Sequence, residues 1–160
     1  MKNTMRLLFD AYSSNEAFAR TAVAAFVMQL DPTLEEISDI KTALSEAVTN
    51  AIVHGYEDAS GIVEVECSIE ERTVSIRIAD TGRGIEDVQK AMEPLYTTKP
   101  DAERSGMGFT VMEAFMDSVE VCSTPGEGTT VSMEKQLRST ERLGTLFSLR
   151  AKSADSGGKL

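Results

Sequence analysis

One histidine and two cysteines are all that this 160-residue chain offers for soft metal ligation. His54, Cys67 and Cys122 fall short of the four side chains that a structural zinc site takes. Long apolar runs are also missing. No segment approaches the ~20 residues of a membrane span, and the opening MKNTMRLLFDAYSSNEAF has no apolar stretch of signal-peptide length. Basic residues are scarce, 16 against 26 acidic, for a net charge of −10. That balance argues against binding nucleic acid or anionic membrane, while leaving room for a local basic site. The reading is a soluble cytoplasmic protein with reduced thiols. No internal repeat is present, and no G-x-x-x-x-G-K-[ST] loop.

What is present is an ordinary globular balance, 41% hydrophobic and 26% charged, at a length that suits one domain with a sizeable core. Residues 5–11 alternate weakly, as a strand does. Ser13-x-x-Glu16 has the form of a capping box. The helix after it runs to about Leu30 and buries Phe18, Ala22, Ala25, Phe26 and Leu30, with Arg20 facing away. DPTLEE opens a second helix with Pro32 in its first turn. Its stripe is Leu34, Ile37, Ile40, Leu44, Ala47, Val48, Ala51 and Ile52, and Gly55 stops it at positive φ. Val63, Val65, Cys67 and Ile69, then Val74, Ile76 and Ile78, alternate with polar residues and predict a hairpin with one buried face. A long segment, 81–106, carries one short helix near 86–92. GMGFTVMEAFMD predicts a further helix, and 119–123 with 129–137 a last hairpin. The pattern fades after Leu137, so the domain is drawn at 1–137 and a tail at 138–160.

Some polar residues do not suit this plain scheme. In SEAVTNAIVHGY, 45–56, Glu46 and Asn50 sit four apart, off the apolar stripe. Asp80 continues the parity of Val74, Ile76 and Ile78, which starts a carboxylate toward the covered face of the sheet, where it needs a partner. Six of the 11 glycines fall in three pairs, Gly82/Gly84, Gly106/Gly108 and Gly126/Gly128. Each pair serves either a turn or a close approach. RSGMGF places Gly106 and Gly108 at a helix start, where free N–H groups and the helix dipole favour an anion. Arg104, Ser105 and Lys99 stand nearby in sequence. His54 reads as a helix-end packing or capping residue.

The order E-x-x-x-N (Glu46–Asn50), D-x-G-x-G (80–84), G-x-G at a helix start (SGMGF, 105–109) and G-T-T (128–130) resembles the GHKL superfamily of ATPases and kinases over about residues 5–137. YTTK at 96–99 resembles the segment before the nucleotide lid of its kinase members. The resemblance implies a Bergerat-type two-layer α/β sandwich, a mixed, mostly antiparallel sheet covered by helices on one face. It also implies binding of ATP and ADP with Mg²⁺. On that pattern Asn50 is the Mg²⁺ ligand and Asp80 accepts from the adenine amino group. Gly82 and Gly84 let the backbone lie close to the base, and Thr130 supports the adenine contact. Thr98, Lys99, Ser105, Gly106, Met107 and Gly108 bind the nucleotide, and Arg104 holds phosphates and is, with Glu46, a catalytic residue. Glu46 matches the residue that acts as base or orients the nucleophile; its other reading is a solvated helix carboxylate.

FARTAVAAFVMQLDPT, SEAVTNAIVHGY, PLYTTKP and RSGMGFTVMEAFMD resemble, within that superfamily, the anti-sigma kinases of spore-forming bacteria, and less closely the stress-response group. The resemblance implies a homodimer that holds a sporulation sigma factor when ATP-bound and phosphorylates a serine of an anti-anti-sigma factor. Arg20 is then either a partner contact or an ordinary solvated arginine. Two other readings stay open: a nucleotide-gated sigma-binding module without transfer, and an ATPase using water as acceptor.

Overall fold

Val63, Val65, Cys67 and Ile69 are buried and Glu64, Glu66 and Ser68 between them are half-exposed, so strand β2 (Ile62–Glu70) has one dry face. The same holds for β3 (Thr73–Asp80) with Val74, Ile76 and Ile78. This is the alternation expected of a sheet covered on one side. The computed structural model describes residues 1–57, 60–93 and 108–138. Its remaining elements are β1 (Lys2–Asp10), α1 (Ser14–Val27) with a 3₁₀ turn at Met28–Leu30, α2 (Leu34–Asn50), α3 (Val88–Ala91), α4 (Gly108–Phe115), β4 (Ser118–Thr124) and β5 (Gly128–Gln136). The tail expected from 138 onward lies, after Arg138, outside the described residues.

The sheet order is β1-β2-β3-β5-β4. Every pairing among the described strands is antiparallel. The mixed sheet expected from sequence therefore has no parallel pair there, because the last hairpin folds back so that β5, not β4, lies beside β3. Helices α1, α2 and α4 pack together over the apolar face. Ile40, Leu44 and Val48 of α2 are fully buried, each worth ~2 kcal/mol in removed apolar surface. The other face carries a charged ladder: Arg6 pairs with Glu66, and Arg77 with Glu64 at 2.7 Å and Glu66 at 3.8 Å.

Two helix expectations need correction. The buried stripe of α1 is Ala19, Val23 and Val27, while Phe18 and Ala25 are exposed and Ala22, Phe26 and Leu30 half-buried. Small side chains on that stripe let α1 lie close to α2; phenylalanines there would hold it off. The capping box is not at Ser13, whose backbone is already helical (φ −55°, ψ −31°) and whose side chain makes no cap bond. Glu16 instead accepts from the Ser45 hydroxyl of α2 and pairs with Arg20 at 3.4 Å. The box forms at Thr33 and Glu36. Pro32 thus precedes the cap rather than entering the first turn, and Leu34 is 88% exposed.

Glu36 does more than cap. It is buried, one carboxylate oxygen accepting from Thr33 N–H at 2.8 Å and the other from Arg138 N–H at 2.8 Å. It joins the start of α2 to the chain leaving β5. Burial alone pushes its pKa up, but the hydrogen bonds from Arg138 and Thr33 outweigh it and hold the carboxyl below its ordinary 4.5. A depressed folded pKa stabilises the fold above the unfolded value, and that contribution is lost as pH falls through the folded one. Glu36→Gln is expected to cost about 1–3 kcal/mol at pH 7, measured by urea unfolding, with the gap to wild type closing in acid. A gap that persists unchanged below pH ~3 contradicts this account of Glu36.

Candidate functional site

Helix α2 does not simply stop at Asn50. Its backbone widens into a π turn over Ala51–Gly55, a rearrangement common at functional sites. Gly55 is not at positive φ; that conformation falls on Glu57 (φ 46°). Glycine is needed at 55 for space, since a Cβ there would stand 2.9 Å from Asp80 Oδ1. The next residue, Tyr56, is buried and fastens the turn to the sheet. Its hydroxyl donates to Ile62 O at 2.5 Å and accepts from Thr81 N–H at 2.9 Å.

Asp80, the last residue of β3, lies on the helix-covered side as its parity requires. Gly82 N–H donates to its Oδ1 at 2.9 Å, and the Thr129 backbone N–H is a second donor. Burial nonetheless dominates and holds the carboxyl above the ordinary aspartate value. Residues 81–87 then cross to the last hairpin. Arg83 N–H donates to Gly55 O at 2.8 Å, Arg83 O accepts from Gly126 N–H at 2.7 Å, and Ile85 N–H donates to Ser123 Oγ at 2.7 Å. Gly82 and Gly84 are set by these crossings. A Cβ on Gly82 would lie 2.1 Å from Gly55 O, and one on Gly84 (φ +74°) 2.3 Å from Thr124 O. On the side a Cβ would occupy, both glycines closely approach protein backbone.

These segments enclose a cavity of about 660 Å³. Of the expected site residues, Asn50, Asp80, Gly84 and Gly108 line it. Asn50 and Gly108 also meet: a Cβ on Gly108 would stand 3.0 Å from Asn50 Nδ2, so the start of α4 rests against that amide. Glu46, one turn earlier, is buried and is not among the lining residues. Thr130 is on the other face of β5, in register with Ala79 and Cys122. Thr129, in register with Asp80, lines the cavity instead. Arg20 is on α1, away from the cavity, with its side chain 38% exposed. Thr98, Lys99, Arg104, Ser105, Gly106 and Met107 lie outside the described residues.

Sequence reading missed the apolar walls, Ile78, Ile85, Phe109 and Val131, and the polar rim of His54, Arg83 and Lys90. Ile78 was within reach, two residues before Asp80 on the same face. So was Thr129, which shares the parity of the buried Val131 and Met133. Nothing in the sequence marks Lys90. Among the described residues no cluster of three or more His, Cys, Asp or Glu could hold a metal, and no helix is long and apolar enough to cross a membrane.

A family model for the histidine kinase-like ATPase domain matches residues 11–135. An anti-sigma F factor of Clostridium novyi (strain NT) is 59% identical over 140 residues, 87% of this chain and 98% of that protein. One from Clostridium perfringens (strain 13 / Type A) is 61% identical over 138 residues, 86% of this chain and 99% of its own.

This chain belongs to the anti-sigma F factor family.

A crystal structure of RsbU and RsbW domains from Mycobacterium tuberculosis matches with a TM-score of 0.62 at 21% identity. It covers 84% of this chain, which spans only 32% of that one. At that identity the match shows the shared α/β fold alone. The family model makes this a nucleotide-binding domain of the ATPase type.

The raised pKa of Asp80 has a consequence for the free protein. Between the ordinary value, 3.8, and the raised one, the folded state holds a proton that the unfolded state has lost. Stability therefore falls as pH rises through that window, and the penalty stands in full above it. Asp80→Asn is expected to raise the melting temperature of the nucleotide-free protein at pH 7–8, with the difference shrinking toward pH ~4. A variant that melts lower than wild type at every pH contradicts this.

Proposed function

We propose that this protein is an ATP-dependent anti-sigma factor and protein-serine kinase of the cytoplasm. As a homodimer, it holds a sporulation sigma factor when ATP-bound and phosphorylates a serine of its anti-anti-sigma factor. The observation that carries the reading is one cavity that joins the half-buried carboxylate of Asp80 to the amide of Asn50 at the start of α4.

In this reading adenine enters between Ile78, Ile85, Phe109 and Val131, and its amino group donates to Asp80. The phosphates run toward Asn50 and the N–H groups opening α4, with Thr98, Lys99, Arg104 and residues 105–107 as further nucleotide-binding residues. Asn50 Oδ1 would hold Mg²⁺. A site with a single neutral protein oxygen suits an ion whose other ligands are phosphate oxygens and water. The side chain is positioned for this by Gly108, where no Cβ crowds it. An ion held there would supply neutralisation of phosphate charge.

Phosphoryl transfer needs alignment, charge neutralisation and a positioned nucleophile. Glu46 takes the proton of the acceptor serine. The serine oxygen bonds to the γ-phosphorus as the bond to the β–γ bridging oxygen breaks, and ADP leaves with that electron pair. Arg20, part-exposed and braced by Glu16, is the proposed partner contact.

A second reading, a nucleotide-gated sigma-binding module without transfer, draws on one observation. Glu46 is buried and does not line the cavity. Phosphotransfer from γ-labelled ATP with Mg²⁺ to a candidate anti-anti-sigma factor separates the two. Label on a partner serine is expected with wild type, falling at least about 100-fold in Glu46→Gln and in Asn50→Ala. Glu46→Gln should still bind ATP. No label from wild type, with ATP and sigma factor still bound, selects the module instead. Normal transfer by Glu46→Gln removes Glu46 from the base role.

A further inference from the structure

Ser123 lies on edge strand β4, in register with Thr129, which is in register with Asp80. All three sit in one row on the helix-covered side of the sheet. The Ser123 hydroxyl has three partners. Ile85 N–H donates to it at 2.7 Å, Gly128 O accepts from it at 3.0 Å, and the Thr129 hydroxyl stands 2.8 Å away.

A serine hydroxyl has one proton and two lone pairs. Two of the partners leave no choice. A backbone N–H can only donate, so Ser123 accepts from Ile85. A backbone carbonyl can only accept, so the one Ser123 proton goes to Gly128. The remaining contact then requires Thr129 to donate its own proton to Ser123. Thr129 lines the cavity with its proton already committed, and its oxygen has only lone pairs left to offer. Beside it, Asp80 as a carboxylate is also an acceptor only.

We propose that Ser123 fixes the polarity of the base-binding wall. By holding the Thr129 proton away from the cavity, it leaves a wall of acceptors that takes a 6-amino purine and rejects a 6-oxo purine. This rests on the reading of the cavity as the nucleotide site. Ser123 touches no nucleotide in this scheme; it is a positioning residue. A 6-oxo purine turns a carbonyl oxygen toward these two acceptors, and its one edge proton, on N1, lies a position away from that oxygen, so the pairing at position 6 is lost, the kind of mismatch that gives polar sites their discrimination.

The test is equilibrium binding of Mg-ATP and of Mg-ITP, the 6-oxo analogue, to the full chain, with melting curves of the nucleotide-free proteins beside it. Wild type is expected to bind ATP far more tightly than ITP. Ser123→Ala frees the Thr129 proton to turn toward the 6-oxo group, so the ATP-to-ITP affinity ratio should fall about tenfold, the size of one hydrogen bond. Ser123→Thr, which keeps the hydroxyl, should retain the ratio. In a Thr129→Val background, Ser123→Ala should leave the ratio where Thr129→Val alone puts it. If Ser123→Ala weakens ATP and ITP by the same factor, Ser123 only braces the loop at Ile85 and the inference is overturned, with the nucleotide reading intact. If wild type binds both equally, the assignment of the base site to Asp80 and Thr129 fails as well.

Discussion

The half-buried carboxylate of Asp80 is the constraint around which this end of the molecule is arranged. Burial penalises its charge, and the surrounding chain is shaped to offset that without filling the space beside it. Gly55 leaves room for the oxygens, while Gly82 bends back to give its N–H. Gly128 (φ +124°) passes so close to Asp80 O that a Cβ would lie 2.0 Å away. Three glycines from three segments thus meet at one residue. Two donors leave a carboxylate with lone pairs still to fill, which is what a ligand carrying an amino group requires.

Helix α2 connects this site to the rest of the fold. Its first turn holds Glu36, which receives Arg138 N–H from the far end of β5. Its last turn presents Asn50 and then opens into the π turn that reaches β3. The same strand, β5, carries Thr129 at its other end. Helix and strand are therefore pinned to each other at the end away from the cavity. Helix α1 leans on α2 through Glu16 and Ser45.

Legibility in the sequence followed the strength of the local pattern. The β2–β3 hairpin was plain because its period-two alternation has only one dry face. The interior of α2 was plain because Ile40, Leu44 and Val48 repeat at helical spacing. The stripe of α1 was not, since FARTAVAAFV is apolar on most sides and only packing against α2 selects Ala19, Val23 and Val27. Asn50 and Asp80 stood out because polar groups in such places need partners. Thr129 was passed over for its neighbour: GTT offers two threonines, and a one-residue step in a strand reverses the face. The π turn and the Ser123 contacts left no trace in local pattern, because they arise only when distant segments meet.

The central claim is that Asp80 reads the amino group of adenine. The most direct measurement compares, by calorimetric titration of wild type, Mg-ATP with the Mg-triphosphate of purine riboside, which differs only in lacking that group. A loss of at least about tenfold in affinity for the analogue is the expected result. Equal affinity would show that nothing in this cavity reads the amino group, and the assignment of Asp80 would be wrong.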